Sequence, residues 1–376
     1  MAFTFVHTAD WQLGKPFRNL GSRVATLLEQ ARLETIDRIA AVAATAGARH
    51  VLVAGDVFDT VLPSDRTLLT ALDRLRKAEQ VVWHLLPGNH DHTRPGGLWE
   101  RMATHGLPVN VRCHLVPEPV EIEADVVLLP APLTTRMQST DPTAWFDTAP
   151  TARGIVRLGL AHGSIRDFTS GGDAAAVIDP ARSRHARLDY LALGDWHGTR
   201  QIDTRTWYAG TPEPDRFPDN EPGHVLVVTV DAAGRQPRVE RVATAAYTWL
   251  RKRARVSDAA DLGPLERELM KATPQLDRLL LKLTFDGTVA ATDRDAIEAW
   301  AREFGERVCV LDVELPEIGS TLSDADLAAL GVGDDVRTAA RRLRALADGA
   351  DAEAAGTAKA ALGWLARLTR SGGESA

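Results

Sequence analysis

Five short polar clusters in this 376-residue chain combine side chains able to hold divalent cations. They are Asp10 with Gln12 in HTADWQLG, Asp56 with Asp59 in GDVFD, Asn89, His90 and Asp91 in PGNHD, His162 in AHGS, and Asp195 with His197 in GDWHG. Oxygen and imidazole donors without thiolate suit Mn, Fe, Zn or Mg, and a carboxylate can bridge two ions about 3.5–4 Å apart. The adjoining glycines let the backbone turn sharply and approach a phosphate closely. Taken singly each cluster is weak, because an Asp at a strand end is commonly a cap or turn residue. Five in order, each directly after an expected strand, make the pattern of a site.

The elements that must position these residues follow from hydrophobic spacing. Residues 3 to 9 and 50 to 54 are short β-branched runs, and the stretch between them has helical spacing and ends on Gly47, which predicts strand, helix, strand. TLLTALDRLRKAEQ predicts a further helix, and VVWHLLP, VEIEADVVLLPAP, VRLGLAH and LDYLALGD further strands. WYAG (207–210) and HVLVVTV (224–230) complete this α/β section, joined by the Pro-rich TPEPDRFPDNEPG. In such sheets ligands gather beyond the carboxyl ends of the strands, so the polar clusters are expected to converge. From about residue 245 strands and helices alternate as in a small α+β domain, and residues 334 to 370 predict two helices broken near Asp348 and Gly349.

The series Asp10/Gln12, GDVFD, GNHD, His162 and GDWH resembles the signature of calcineurin-like metallophosphoesterases. Within that superfamily, HTADWQLGK and YAGTPEP resemble SbcD-type nuclease subunits of DNA repair. The resemblance implies a four-layer αββα catalytic sandwich over 1–244, an α+β DNA-binding cap over 245–318 and a helical partner-binding region over 319–376. It implies two Mn2+ ions, with Mg2+ or Fe2+ as alternatives. One ion would be held by Asp10, Gln12, Asp56 and His197, the other by Asp56, Asn89, His162 and Asp195. His90 would protonate the leaving oxygen, with Asp59 orienting it. His7 is read either as a neighbour of the metal ligands or as a packed strand-end histidine. Two positions depart from the pattern, since Gln12 and Asp195 each stand where the family has a histidine. Both exchanges replace imidazole by oxygen and harden the site.

Substrate choice rests on the remaining chain. Arg251, Lys252, Arg253 and Arg255 form the densest basic run and could track a DNA backbone, or could guard a strand edge. Trp11, Trp196 and Phe58 are read as walls of the site, with base stacking as the alternative. Val336, Leu343, Leu346, Leu362, Leu365 and Leu368 form a C-terminal apolar stripe. The resemblance implies that it docks on the coiled-coil base of an ABC-type ATPase; packing on its own domain weighs equally. A homodimer is left open.

Composition sets bounds. With 44% hydrophobic and 25% charged residues the chain is ordinary globular protein. A formal net charge of -7 argues against coating nucleic acid by bulk electrostatics, so DNA contact must be local. Cys113 and Cys309 lack metal or disulfide spacing and are expected to be buried thiols. No leader or membrane span is expected, which predicts a soluble cytoplasmic protein. The reading is a metal-dependent DNA exonuclease or endonuclease. The alternatives are a stand-alone nucleotide phosphodiesterase or phosphatase, and a weakly active scaffold for an ATPase.

Overall fold

A computed structural model of the chain describes residues 2–166, 175–217, 220–273, 275–321, 333–349 and 351–371. Met1–Tyr247 and Thr248–Ala376 form two compact units. In chain order the first carries β1 (Phe3–Thr8), α1 (Ser22–Thr45), β2 (His50–Val53), α2 (Asp65–Lys77), β3 (Val82–Leu85), α3 (Leu98–Thr104), β4 (Val111–Cys113), β5 (Val120–Glu123) and β6 (Val126–Ala131). There follow β7 (Val156–His162), β8 (Ser164–Ile165), β9 (Val177–Ile178), α4 (Arg182–His185), β10 (Tyr190–Gly194), β11 (Arg200–Gln201), β12 (Thr206–Tyr208), β13 (His224–Val230) and β14 (Arg238–Ala243).

Two six-stranded sheets face each other, in the orders β14-β13-β1-β2-β3-β4 and β11-β12-β10-β7-β6-β5. β1 to β4 run parallel in the first, and β12, β10, β7 and β6 in the second. Strand alternation sorts the apolar side chains by face. Val51 and Val53 turn to the helices with Trp83 and Leu85, while Leu52 turns inward with Phe5, Leu128 and Leu160 between the sheets. α1 buries Leu28, Ala31, Thr35, Ile36, Ile39 and Ala43, the three-and-four spacing of one helix face. α2 starts on Ser64, whose hydroxyl accepts from Thr67 N at 3.2 Å, and ends in Arg74, Arg76 and Lys77, which suit the negative end of its dipole. The far face of the second sheet is covered by Phe146 of a 3-10 turn and by Ala186 and Leu188 after α4. The first unit is therefore the expected four-layer sandwich, with a thin fourth layer.

His7 is a packed histidine. It is fully buried, its Nε2 donates to the carbonyl of Leu193 (3.2 Å), and its Nδ1 accepts from the Tyr190 hydroxyl (3.0 Å), so it ties the two sheets together. The stretch expected as a single strand, VEIEADVVLLPAP, is a hairpin of antiparallel β5 and β6 turning at Ala124 and Asp125. Both cysteines are half-buried rather than fully enclosed.

The second unit carries β15 (Thr248–Arg255), α5 (Leu262–Ala272), β16 (Leu279–Ala290), α6 (Ala291–Arg307), β17 (Val310–Thr321), α7 (Asp334–Ala347) and α8 (Ala352–Ser371). Its three strands are parallel, in the order β15-β16-β17, with Leu281, Leu283 and Phe285 packed among Leu265, Leu269, Ile297 and Phe304 of α5 and α6. α7 and α8 pack on each other through Ala340, Leu343, Ala347, Ala358, Leu362 and Leu365. Much of the apolar stripe is thus spent within the helix pair. Leu346 stays 54% exposed, and the Leu368 side chain lies outside those described. No helix among the described residues is long and apolar enough to cross a membrane.

Candidate metal centre

The polar clusters lie where parallel strands end: Asp10 beyond β1, Asp56 beyond β2, Asn89 and His90 beyond β3, His162 closing β7, and Asp195 and His197 beyond β10. The loops after β1 and β2 are joined through their backbones. Asp10 N donates to Gly55 O (3.1 Å), Gln12 N to Asp56 O (2.9 Å) and Leu13 N to Val57 O (2.9 Å). This pairing holds side-chain-bearing residues in the left-handed region, with φ of 54° at Asp10, 44° at Gln12 and 53° at Asp56, and Asp195, whose N–H donates to Asp10 Oδ1 (3.1 Å), has φ of 102°. Such conformations cost on the order of 1–3 kcal/mol each and persist where surrounding structure imposes them, typically at functional sites. Gly88 has no room for a side chain, since a Cβ there would collide with Asp56 Oδ1.

Ligand atoms of Asp10, Asp56 and His162 lie within 4.8 Å of one another, and all three residues are buried. His162 Nδ1 donates to the Ala54 carbonyl (2.8 Å), which leaves Nε2 facing Asn89 Oδ1 at 2.9 Å, Asp56 Oδ1 at 3.6 Å and Asp195 Oδ1 at 3.9 Å. Lone pairs pointed at one another require a cation between them, either a proton or a metal ion. The donor set, buried carboxylates with an amide oxygen and an imidazole of fixed tautomer, fits a hard or borderline divalent ion. The electrostatics agree. Burial would lower the pKa of His162, but Asp56, Asp10 and Asp195 outweigh it and raise it to about 9. Burial pushes Asp10 up to about 6 against the pull of His197 and His162.

Residues 3–180 match the model of the calcineurin-like phosphoesterase family. The chain carries a calcineurin-like phosphoesterase domain. The match takes in Asp10, Asp56, Asn89, His90 and His162, while Asp195 and His197 follow it in the chain. No curated protein matches the chain. The family hydrolyses phosphoesters with divalent metal, which the geometry above accommodates.

Other site residues of the phosphoesterase domain are placed less simply. His90 N donates to Asp56 Oδ1 (2.9 Å), and His90 Nδ1 donates to the backbone carbonyl of Asp59 (3.0 Å). The Asp59 carboxylate is 3.9 Å away, so the carbonyl and not the expected carboxylate sets the ring. Gln12 is not presented as a free oxygen ligand. Its Oε1 accepts from Lys15 Nζ (3.0 Å), and its amide nitrogen lies 3.3 Å from His197 Nε2. Trp11 and Phe58 are core residues at 1% and 0% exposure, which excludes base stacking by either. Trp11 packs edge-on against Trp83 and donates to Thr8 Oγ1.

Several residues that the sequence reading gave no role support the site. Asp91 ties GNHD to GDVFD by accepting from Gly88 N (2.7 Å) and Phe58 N (3.0 Å), and burial raises its pKa to about 7. Ser164 donates to Asp195 Oδ2 (2.5 Å). Asp215 receives Lys15 Nζ at 2.5 Å, with His197 Nδ1 at 3.4 Å and Arg32 Nη2 at 3.8 Å. Burial would raise the Asp215 pKa, yet His197, Arg32 and Lys15 hold it well below the carboxylate range. Glu213 accepts from the backbone N–H of Ala246 and Tyr247 and from Arg38. Signals existed: Glu213 and Asp215 close the YAGTPEPD run, and Arg32 is a cation on the buried face of α1.

Proposed function

We propose that this chain is a metal-dependent DNA nuclease of SbcD type, cutting phosphodiester bonds. The observation that carries the hydrolytic part is the buried Asp10–Asp56–His162 cluster with Asn89 and Asp195 turned toward it and His90 alongside. Asp10, Asp56, Asn89, His162 and Asp195 would hold the ion, and their oxygen-rich set favours Mn2+. A bound divalent ion there supplies charge neutralisation of the phosphodiester and activation of water. His90 has its Nδ1–H committed to the Asp59 carbonyl and its side chain one-third exposed, which leaves Nε2 to deliver a proton to the departing oxygen. His90→Ala is expected to keep Mn2+ binding by calorimetry while kcat on bis-p-nitrophenyl phosphate falls by about 10²–10⁴-fold. Loss of the metal in that variant would make His90 a structural residue instead.

The DNA reading is supported by the HTADWQLGK and YAGTPEP resemblance and by β15. Arg251, Arg253 and Arg255 project from the exposed face of this edge strand, whereas Lys252 faces the opposite side and pairs with Glu268 of α5. Only the three arginines could therefore follow one backbone. Arg253 also lies 3.8 Å from Asp286, so its charge is partly engaged. Replacing all three by alanine is expected to weaken DNA binding and cut the salt slope of binding by up to about 3, roughly one for each phosphate no longer neutralised. Turnover of bis-p-nitrophenyl phosphate should not change. An unaltered salt slope would assign these residues to edge protection. Docking of an ABC-type ATPase on α7 and α8 is supported by exposed Leu346 and Trp364.

The deciding assay offers linear DNA of defined ends with Mn2+, Mg2+, Fe2+ or Zn2+, with and without a coiled-coil ATPase. Hydrolysis of bis-p-nitrophenyl phosphate with DNA left intact would favour a stand-alone phosphodiesterase. Partner binding without any hydrolysis would favour a scaffold.

A further inference from the structure

The two halves of the metal centre are built differently, and the difference lies in what already occupies the donor atoms. Around His162 the donors face one another: Nε2 meets oxygens of Asn89, Asp56 and Asp195 at 2.9, 3.6 and 3.9 Å. Around Gln12 and His197 they face protein groups instead. Gln12 Oε1 takes a hydrogen bond from Lys15 Nζ, and His197 Nε2 lies against the Gln12 amide nitrogen. The Gln12 amide accepts from the ammonium with its oxygen and turns its nitrogen toward the imidazole. Lys15 is itself anchored, at 2.5 Å, on Asp215, whose side chain is only 2% exposed.

Charge is divided in the same way. The His162 half gathers the carboxylates Asp10, Asp56 and Asp195, all without a Lys or Arg ion pair among the described residues. The Gln12 half sets Asp215 against three cations, Lys15, Arg32 and Arg216. A second divalent ion entering there would meet an ammonium already bound to its intended oxygen ligand, and like charges repel at such range. Lys15 Nζ has three N–H donors, of which Gln12 and Asp215 take two.

We infer that the Lys15 ammonium is a built-in cation that takes the place of a second metal ion, so that the chain loads one divalent ion in the His162 half and uses Lys15 to offer positive charge to the substrate phosphodiester. The inference rests on the phosphoesterase reading, but its test separates the two. The full-length chain is stripped with chelator and titrated with Mn2+ by calorimetry, and bound manganese is then measured by elemental analysis after dialysis. The natural sequence is expected to bind one ion per chain. Lys15→Met is expected to bind two, because Gln12 Oε1 is then released and Asp215 loses its nearest cation. Lys15→Gln, which can still hydrogen-bond Asp215, is expected to do the same and serves if the Met variant does not fold. Lys15→Arg, which keeps the charge, should stay at one.

Two ions in the natural chain would overturn the role of Lys15 while leaving metal-dependent hydrolysis intact. One ion in the natural chain and still one in both neutral variants would overturn it as well. No bound ion in any form, with no turnover of bis-p-nitrophenyl phosphate, would remove both readings together.

Discussion

Asp56→Ala is expected to abolish Mn2+ uptake and to lower turnover of bis-p-nitrophenyl phosphate by at least about 10³-fold, more than loss of a single donor of a preorganised site costs. Asp56 sits at the centre of the cluster. Its Oδ1 is 3.6 Å from His162 Nε2, accepts from His90 N at 2.9 Å, and lies over Gly88, where no side chain fits. One substitution therefore removes a proposed metal ligand and the acceptor that holds the His90 backbone. Two stability effects oppose each other. Alanine tolerates φ of 53° less well than aspartate, whereas removing the charge relieves Asp10 and Asp91, whose pKa values Asp56 helps to raise. Folding should therefore survive, and a circular dichroism melt checks it. Asp56→Asn separates charge from conformation, since asparagine accepts the left-handed backbone and the His90 N–H but is neutral. It should lose metal almost as fully. If Asp56→Ala bound Mn2+ as tightly as the natural chain, the ion would have to lie elsewhere.

How much of this centre was legible in the sequence depends on how far its parts lie apart. Asp10, Asp56, Asn89, His162 and Asp195 could be picked out because each follows an apolar strand directly and all but Asp10 sit beside glycine, a local pattern with a physical cause. The sandwich was legible for the same reason, as alternation of strands and helices. The partners that decide what Gln12 does were not. Lys15 and Asp215 are 200 residues apart and meet only because the Pro-rich segment after β12 folds back over the β1 loop. Asp59 was expected to orient His90, but whether carbonyl or carboxylate holds the ring is a matter of about an ångström, which residue type does not encode. Arg251 to Arg255 read as one basic run, yet a strand alternates its faces, so Lys252 leaves the group. The β5–β6 hairpin was hidden because Ala124 and Asp125 interrupt an apolar run without glycine or proline.

Acid is expected to unfold the phosphoesterase unit well before its carboxylates would account for it, because four buried histidines are held neutral. His50, His84 and His114 form a hydrogen-bonded row across β2, β3 and the end of β4, with His50 Nδ1 to His84 Nε2 at 2.9 Å and His84 Nδ1 to His114 Nε2 at 3.0 Å. The row ends on Glu123, 3.0 Å from His50 Nε2. In the neutral row each ring donates through Nε2, and His50 and His84 accept through Nδ1, so a proton added at either Nδ1 would set donor against donor. Burial lowers the pKa of His7 to about 3 and of His114 to about 4, burial with His114 and His50 lowers that of His84 well below its ordinary value, and burial lowers that of His50 despite Glu123. In the unfolded chain these rings take up protons near pH 6.5. Between that pH and the folded values the unfolded state binds more protons, so stability is complete above about pH 6.5 and falls as pH falls, by about 1.4 kcal/mol per pH unit per histidine. Asp10 and Asp91 act in the opposite direction, since their raised values make the folded state bind protons as pH drops from about 7 towards 4. The histidine losses outnumber the carboxyl gains, leaving a net fall on the order of 1–3 kcal/mol per pH unit. Against a total stability of about 5–15 kcal/mol, two pH units suffice to bring the unit close to its midpoint. Thermal melts in chelator should show Tm falling by on the order of 10 °C from pH 6.5 to pH 5. His84→Gln, which cannot take up a proton, should flatten the slope by about 1.4 kcal/mol per pH unit even if it lowers Tm at neutral pH. A Tm that is level from pH 7 to pH 5 would mean that these histidines are protonated in the fold without cost, and the row would then have to open at moderate acidity.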